Sequence, residues 1–218
     1  RSGRVSACGS RILADHTPNV TATVLQRLDS AGALDIARLN LAEFALGPTG
    51  HNPITGTPRN PWNTAHVTGG SSSGPAAAVA ARLVYGSLGS DTGRSIRMPA
   101  ACCGLVGMKP TYGLVSRYGS MPLSFSLDHP GPIARTVTDC ALLLREIAGH
   151  DAMDATTSRR AVPDYVTELE NGIQGVRIAV PENYFYDALD PEIADLMQQS
   201  LSVYQRLGAR LVSVEIPS

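Results

Sequence analysis

Nothing in this sequence supplies a strong field: its 218 residues carry 18 basic and 19 acidic side chains, a net charge of −1. No long-range potential draws the chain to nucleic acid or to an anionic membrane, so any such partner has to be recognised locally. Cysteine is sparse. Cys8, Cys102, Cys103 and Cys140 include an adjacent pair but have neither C-x-x-C spacing nor interleaved histidines. Neither a disulfide framework nor a zinc site is indicated, and reduced thiols in a cytoplasmic compartment are the expectation. No apolar run approaches the roughly 20 residues of a bilayer span, and the opening Arg1-Ser2-Gly3-Arg4-Val5 has no signal-peptide core. Internal repeats are missing too. What is present is a globular composition, 43% hydrophobic and 17% charged, able to bury a core and of a length that suits one large α/β domain.

Hydrophobic spacing organises much of the chain. Val20, Val24, Leu25 and Leu28 recur at helical intervals and Gly32 supplies a stop, which predicts a helix over 17–31. Residues 33–37 read as a short strand. From 47 to 74 the composition turns to Gly, Pro, Ser, Thr and Asn; structureless stretches of that length inside a compact domain tend to be functional. Small residues over 75–84 predict a close-packed helix with Pro75 in its first turn. Thr136 and Asp139 have capping-box spacing ahead of Leu142, Leu143, Leu144 and Ile147, and Gly149 ends that helix. Residues 176–180 read as a strand, 190–207 as a helix stopped by Gly208, and 209–216 as a second strand. Such a unit favours α/β architecture.

The densest signal is Gly69-Gly70-Ser71-Ser72-Ser73-Gly74, followed by the small helix and then by Gly89-Ser90-Asp91-Thr92-Gly93-Arg94-Ser95-Ile96-Arg97-Met98-Pro99-Ala100. A serine hydroxyl attacks only where a base takes its proton and donors meet the oxyanion that forms. Gly93 beside Ser95 permits successive N–H groups to converge on one point, an anion-binding nest. Simpler readings compete. Residues 69–74 alone have the composition of a flexible linker, and they lack the Gly-Lys-Ser/Thr ending of a phosphate loop. Residues 70–74 match G-x-S-x-G, but 63–68 make a poor strand to lead into a nucleophile elbow.

Over its whole length, the segment 69–100 resembles the amidase signature family, whose pattern pairs G-G-S-S-S-G with D-x-G-x-S-I-R-x-P-A. The likeness extends upstream through 39–45, 49–52 and 59–62 and downstream through 103–113, 126–128 and 131–137, so that it covers residues 3 to about 150. The resemblance implies a triad of serine, cis-serine and lysine. Ser95 matches the acyl-accepting nucleophile, and Ser71, behind a cis peptide from Gly70, matches the bridging serine. The amides of Thr92, Gly93, Arg94 and Ser95 match the oxyanion hole, with Ser90 and Asp91 supporting that turn. The implied chemistry is acyl transfer: a neutral lysine takes the Ser95 proton through Ser71, Ser95 attacks the amide carbonyl, the amine leaves, and water releases the acyl group. Holding lysine neutral means lowering its pKa from ~10.4 to near 7, an adverse shift of about 4–5 kcal/mol.

Two positions depart from the family pattern. Gly3, Ser6, Cys8 and Ser10 match the segment that follows the catalytic lysine, which puts that lysine a few residues ahead of Arg1; Lys109 instead matches a structural Lys-Pro-Thr-Tyr-Gly position. Arg94 stands where the family usually has glycine. Its N–H can serve if its φ is negative, while its cation reaches solvent, a structural ion pair or the acyl carboxylate. Among other candidates, His51 either lines the pocket near Ser71 or orders its own loop. Asp128-His129 with Ser95 imitates a Ser/His/Asp set, but adjacent side chains on an extended chain point opposite ways. Cys102 and Cys103 read as buried small apolar residues rather than nucleophiles, and Arg97 pairs with Asp91 across the turn.

The resemblance therefore implies an α/β fold, the amidase signature core, with a mixed β-sheet flanked by helices on both faces. Residues 1–218 are expected to form a single amidase signature domain, its central portion, truncated at both ends. The expected activity is hydrolysis of carboxylic acid amide C–N bonds in linear small-molecule amides, with no metal or organic cofactor, no membrane and no nucleic acid. Substrate-binding residues are not assigned, because the family draws much of its pocket from beyond residue 218, and a homodimer is left open. Two alternatives stand beside this reading: the amidase subunit of a tRNA-dependent amidotransferase, working with partner subunits and glutamine, and a non-catalytic fragment or pseudoenzyme without the lysine. The segment Thr49-Gly50-His51-Asn52 and Arg94 favour the stand-alone amidases.

Overall fold

The structure, a computed structural model, describes residues 1–217 and divides into two compact units, Arg1–Val166 and Thr167–Ser218. In the first, α1 (Thr23–Ser30) starts later than the spacing predicts. The N–H groups of Ser2 and Gly3 hold Thr21 Oγ1 and the Pro18 carbonyl, each at 3.1 Å, and keep the stretch before it extended. Residues 33–37 are not a strand: Leu34 and Ile36 are 88% and 67% exposed, and among the described residues no strand pairs with them. An apolar-polar alternation without a neighbouring strand leaves its ladder unmade.

Small residues decide where α2 (Ser73–Ala80) can lie. A Cβ at Gly74 would stand 2.5 Å from both the N and the O of Asn40, so the helix packs directly on the 39–41 backbone. It ends earlier than predicted, at Ala80, and Arg82 takes φ 61° to turn the chain. That turn leads into β1 (Gly86–Asp91), followed by α3 (Arg97–Cys102), the two-residue β2 (Val106–Gly107) and β3 (His129–Ala134). The strand order is β1-β3-β2, with both pairings antiparallel. Registers run from Gly86 opposite Ala134 to Asp91 opposite His129, and Val106 also faces Ala134.

The central strand carries Pro130 and Pro132, which would ordinarily exclude it from a sheet interior. Residues of an antiparallel strand present N–H and C=O alternately to the two sides. The Pro132 carbonyl accepts from Met108 N–H at 3.0 Å, on the β2 side, where β2 reaches only Ile133 and Ala134. The missing proline donors therefore fall where there is little strand to pair with, and β1 meets Gly131 and Ile133 instead.

Alternation along β1 sorts the helices. Ser87 Oγ donates to the Pro75 carbonyl of α2 at 3.2 Å, and a Cβ at Gly89 would lie 3.0 Å from Ile96 Cγ1 beside α3. On the opposite face, Leu88 packs into the cluster of Ala22, Val24, Val115, Leu144, Ile147 and Ala148. That face is covered by α1 and by α4 (Val137–Ile147), whose Cys140, Ala141, Leu144 and Ile147 turn inward. Thr136 Oγ1 accepts from Asp139 N–H at 3.0 Å to start α4, as the capping spacing predicts. At its other end the Arg27 guanidinium donates to the carbonyls of Ile147, Gly149 and His150 at 2.8, 3.2 and 2.8 Å. A cation there satisfies the last carbonyls and meets the negative end of the helix dipole. Helices thus cover both faces of this sheet.

The single turn α5 (Tyr165–Glu168) stands at the boundary between the units. In the second unit β4 (Arg177–Pro181) and β5 (Arg210–Val214) pair in parallel, Arg177 facing Arg210. They are joined by α6 (Pro191–Arg206), whose start is fixed by Asp190 accepting from Glu192 N–H at 2.9 Å, with Pro191 in the first turn. This is the strand-helix-strand unit that the sequence spacing predicts. The fold is mixed α/β. Among the described residues no helix is long and apolar enough to cross a membrane.

Candidate active site

The Gly, Pro and Asn-rich stretch ahead of α2 is ordered by side chains that do the work of secondary structure. Asn52, 1% exposed, donates through Nδ2 to the carbonyls of Gly9 and Leu41, both at 2.9 Å, and accepts from the N–H groups of Ile54 and Thr55 at 2.9 and 3.1 Å. Asn60 donates to Val67 and Cys102 at 3.1 and 2.8 Å and accepts from Trp62 N–H at 3.0 Å. These anchors seat the loop against the serine segment. A Cβ at Gly70 would meet the Gly47 carbonyl oxygen at 2.6 Å and Gly50 N at 2.7 Å, so only glycine fits. The peptide Gly70–Ser71 is cis.

The three consecutive serines have different fates. Ser72 Oγ is committed to Ser90, accepting from its N–H at 3.3 Å and donating to its carbonyl at 3.4 Å. Ser73 Oγ donates to the Asn40 carbonyl at 3.5 Å. Ser71, 1% exposed, has no side-chain hydrogen bond among the described residues, and it lines a cavity of about 380 Å³ together with Ser72, Leu88, Gly89, Ser90 and Ser120. The half-buried Ser95 is likewise without a side-chain bond. Ser72 N–H donates to the Ser95 carbonyl at 3.2 Å, which brings the two serine segments side by side.

Between β1 and α3 the chain makes a turn whose carbonyls face the protein. The Gly93 carbonyl accepts from Arg97 Nη2 at 2.8 Å, that of Arg94 from Met98 N–H at 2.8 Å and that of Ser95 from Ser72 N–H. Among the described residues no carbonyl accepts from the amides of Thr92, Gly93, Arg94 or Ser95. Four successive donors are left over, which is what an anion-binding turn requires. Arg94 is not among the residues with positive φ, so its N–H is available at no steric cost, and its side chain is exposed.

Asp91, fully buried, closes this turn at its base. Its Oδ2 accepts from the N–H groups of Ile96 and Arg97 at 3.1 and 3.2 Å and from Arg97 Nε at 3.0 Å, while Oδ1 accepts from Arg97 Nη2 at 2.9 Å. Burial alone would raise the carboxyl's pKa. The Arg97 guanidinium and the two backbone donors outweigh it and hold Asp91 below the usual carboxylate range. Thr92 Oγ1 donates to Asp128 Oδ1 at 2.5 Å, and Asp128 Oδ2 accepts from Leu123 and Ser124 N–H at 2.8 and 2.9 Å. One carboxylate thus ties the turn to the 123–128 loop, a link that sequence reasoning missed. The only signal for it was the Ser126-Leu127-Asp128 run.

The remaining candidates fall elsewhere. His129 Nδ1 lies 2.6 Å from the Leu127 carbonyl oxygen and 3.1 Å from that of Asp91, so Asp128 and His129 do not form a relay with Ser95. His51 Nδ1 stands 2.8 Å from Thr49 Oγ1 and orders its loop. Cys103 is buried and its thiol is pushed up to about 11 by burial, whereas Cys102, expected to be buried, is exposed at the end of α3. Lys109, the only lysine in the sequence, donates to the Pro110 carbonyl at 3.0 Å.

A family profile described as Amidase matches residues 2–218. A glutamyl-tRNA(Gln) amidotransferase subunit from Chromohalobacter salexigens is 48% identical over 212 residues, 97% of this chain and 44% of that protein. The crystal structure of the glutamyl-tRNA(Gln) amidotransferase subunit of the same name from Thermotoga maritima superposes with a TM-score of 0.95 at 44% identity, over 100% of this chain and 48% of that one. The native peptide amidase from Stenotrophomonas maltophilia does so with a TM-score of 0.92 at 39% identity, over 100% and 46%. The chain spans less than half the length of the curated relatives it matches.

Proposed function

The chain belongs to the amidase family, and from that premise we propose that it carries the serine machinery of a hydrolase that breaks carboxylic acid amide C–N bonds through an acyl-enzyme. Ser95 attacks the amide carbonyl, and the carbon becomes tetrahedral. The four unclaimed amides of residues 92–95 receive the negative charge on its oxygen, at roughly 3 kcal/mol for each well-placed donor. Ser71, freed from the bonds that occupy Ser72 and Ser73, passes the Ser95 proton to a base and returns a proton to the departing amine. Water then attacks the acyl-serine ester, and the same groups act in reverse.

The observation that carries this reading is the turn itself, with its carbonyls bonded inward, its N–H groups unclaimed, and Ser95 held by Ser72 next to the buried Ser71. In this reading the base is a lysine, as the resemblance to the family implies. Lys109 lies beyond β2, its Nζ donating to the Pro110 carbonyl at 3.0 Å. The four free cysteines are in line with a cytoplasmic setting.

A second reading is favoured by the 48% identity to an amidotransferase component: the protein works with partner subunits, and ammonia taken from glutamine goes to an aminoacyl-tRNA. Ammonia release by the full-length protein separates the two. The hydrolase reading expects turnover of simple primary amides by the protein alone. Glutamine turnover that appears only with partner subunits and charged tRNA supports the second, and no cleavage of primary or N-substituted amides in either setting removes both.

A further inference from the structure

The donor turn and the start of α3 carry two arginines, and the fold treats them differently. Arg97 is engaged: its guanidinium donates to both oxygens of Asp91, at 3.0 and 2.9 Å, and to the Gly93 carbonyl at 2.8 Å. Its charge is cancelled by that carboxylate. Arg94 is exposed, and among the described residues no carboxylate and no aromatic ring meets its guanidinium. Asp128, the other carboxylate bonded to this turn, is filled instead by the Thr92 hydroxyl and by the N–H groups of Leu123 and Ser124.

The place of this free cation is set by the backbone. The Arg94 carbonyl accepts from Met98 N–H at 2.8 Å, which holds residue 94 against α3 with its own N–H among the four unclaimed donors and Ser95 next in the chain. An arginine side chain spans about 6 Å from Cα to Cζ by its bond lengths. In every rotamer the charge therefore stays within roughly 10 Å of an anion held by the amides of residues 92–95. That distance is comparable with the Debye length, about 10 Å at 0.1 M salt, so the cation is felt at the reacting carbonyl and is screened when salt is added. A carboxylate two or three bonds from that carbonyl can close the remaining gap, and the guanidinium fork matches it with two parallel N–H donors.

We propose that Arg94 is a specificity-determining residue, whose unpaired guanidinium selects amides carrying a carboxylate near the scissile bond over neutral and cationic amides of similar size. The proposal rests on the acyl-transfer reading and narrows its substrate class. The same charge favours the oxyanion, but to the same extent for every amide, so the choice among substrates isolates the contact. An exposed pair of this kind is worth about fivefold in kcat/KM, and more where it is bidentate.

The test uses the full-length protein and compares kcat/KM for succinamate, butyramide and 4-aminobutyramide, which present an anion, no charge and a cation at similar length. Arg94→Gly keeps the backbone donor and puts at 94 the residue of the family pattern. It should lower the ratio of succinamate to butyramide about fivefold and raise that of 4-aminobutyramide to butyramide, whereas Arg94→Lys should keep the parent's order. Added salt should lower the succinamate ratio of the parent and leave that of Arg94→Gly flat. A merely structural role for Arg94 moves all three amides together and leaves the ratios and their salt dependence unchanged. Ratios unmoved by Arg94→Gly, or lowered as far by Arg94→Lys, would overturn the proposal and leave the acyl-transfer reading intact. Where none of the three is turned over, calorimetry of succinamate in the Ser95→Ala background decides. Binding weakened about fivefold by adding Arg94→Gly keeps the assignment, and binding that is absent or indifferent to Arg94 overturns it. The acyl-transfer reading is judged separately, by fluorophosphonate labelling of Ser95.

Discussion

Ser95→Ala in the full-length protein is expected to lower kcat/KM for its best amide by about 10⁴–10⁶-fold, the loss seen when an acyl-accepting serine is removed and only the oxyanion donors and binding remain. The fold should hardly respond. Ser95 Oγ has no hydrogen bond among the described residues, and the contact that seats it, Ser72 N–H to the Ser95 carbonyl at 3.2 Å, belongs to the backbone. Ser71→Ala should cost about 10²–10⁴-fold, the range of a lost proton-transfer partner. The double variant should lose little more than Ser95→Ala, because residues that act as one relay are not additive. Steady-state kinetics beside thermal unfolding checks this. A Ser95→Ala protein that keeps a tenth of its activity sinks the assignment, as does a loss that tracks unfolding.

Asp91→Ala is the second large effect, and it falls on stability and activity together. The buried carboxylate is the acceptor for two backbone amides and a guanidinium. Its removal strands the amide of the buried Ile96, at a cost of about 3 kcal/mol in total. The half-exposed Arg97 recovers its own hydration and adds little. The expected result in the full-length protein is a lowered Tm, with kcat reduced about 10²-fold because the donor turn loosens. The carboxyl binds its proton more weakly in the folded state than the 3.8 of a free aspartate. Its contribution is therefore complete above about pH 4 and is lost as the pH falls through the folded value. Asp91→Asn should have a shallower loss of stability below pH 4 than the parent. Parallel acid limbs would contradict the role given to this carboxylate.

Much of the fold was legible where local chemistry and burial agree. The capped start of α4, the Asp190-Pro191 start of α6 and the β4-α6-β5 unit all follow from periodicity and punctuation. The central sheet was not legible. Its first strand reads Gly-Ser-Leu-Gly-Ser-Asp and its middle strand has prolines at alternate positions, both poor strand formers. They hold because α2, α3 and α4 leave room for little else, and because the proline nitrogens face the side where β2 is only two residues long. Residues 33–37 failed for the opposite reason, a good local pattern with no partner. At the site, the serine segments and the donor turn were legible through their likeness to a family. The Asp128 bridge was not, since it depends on a loop whose course the sequence does not announce.

The central claim is that Ser95 is an activated nucleophile facing four unclaimed amides. Treating the full-length protein with a fluorophosphonate and mapping the adduct by peptide mass spectrometry tests it most directly. The account predicts one adduct per chain, on Ser95, lost in Ser95→Ala and slowed in Ser71→Ala. A folded protein that takes up no label, or one labelled on another serine, would contradict it.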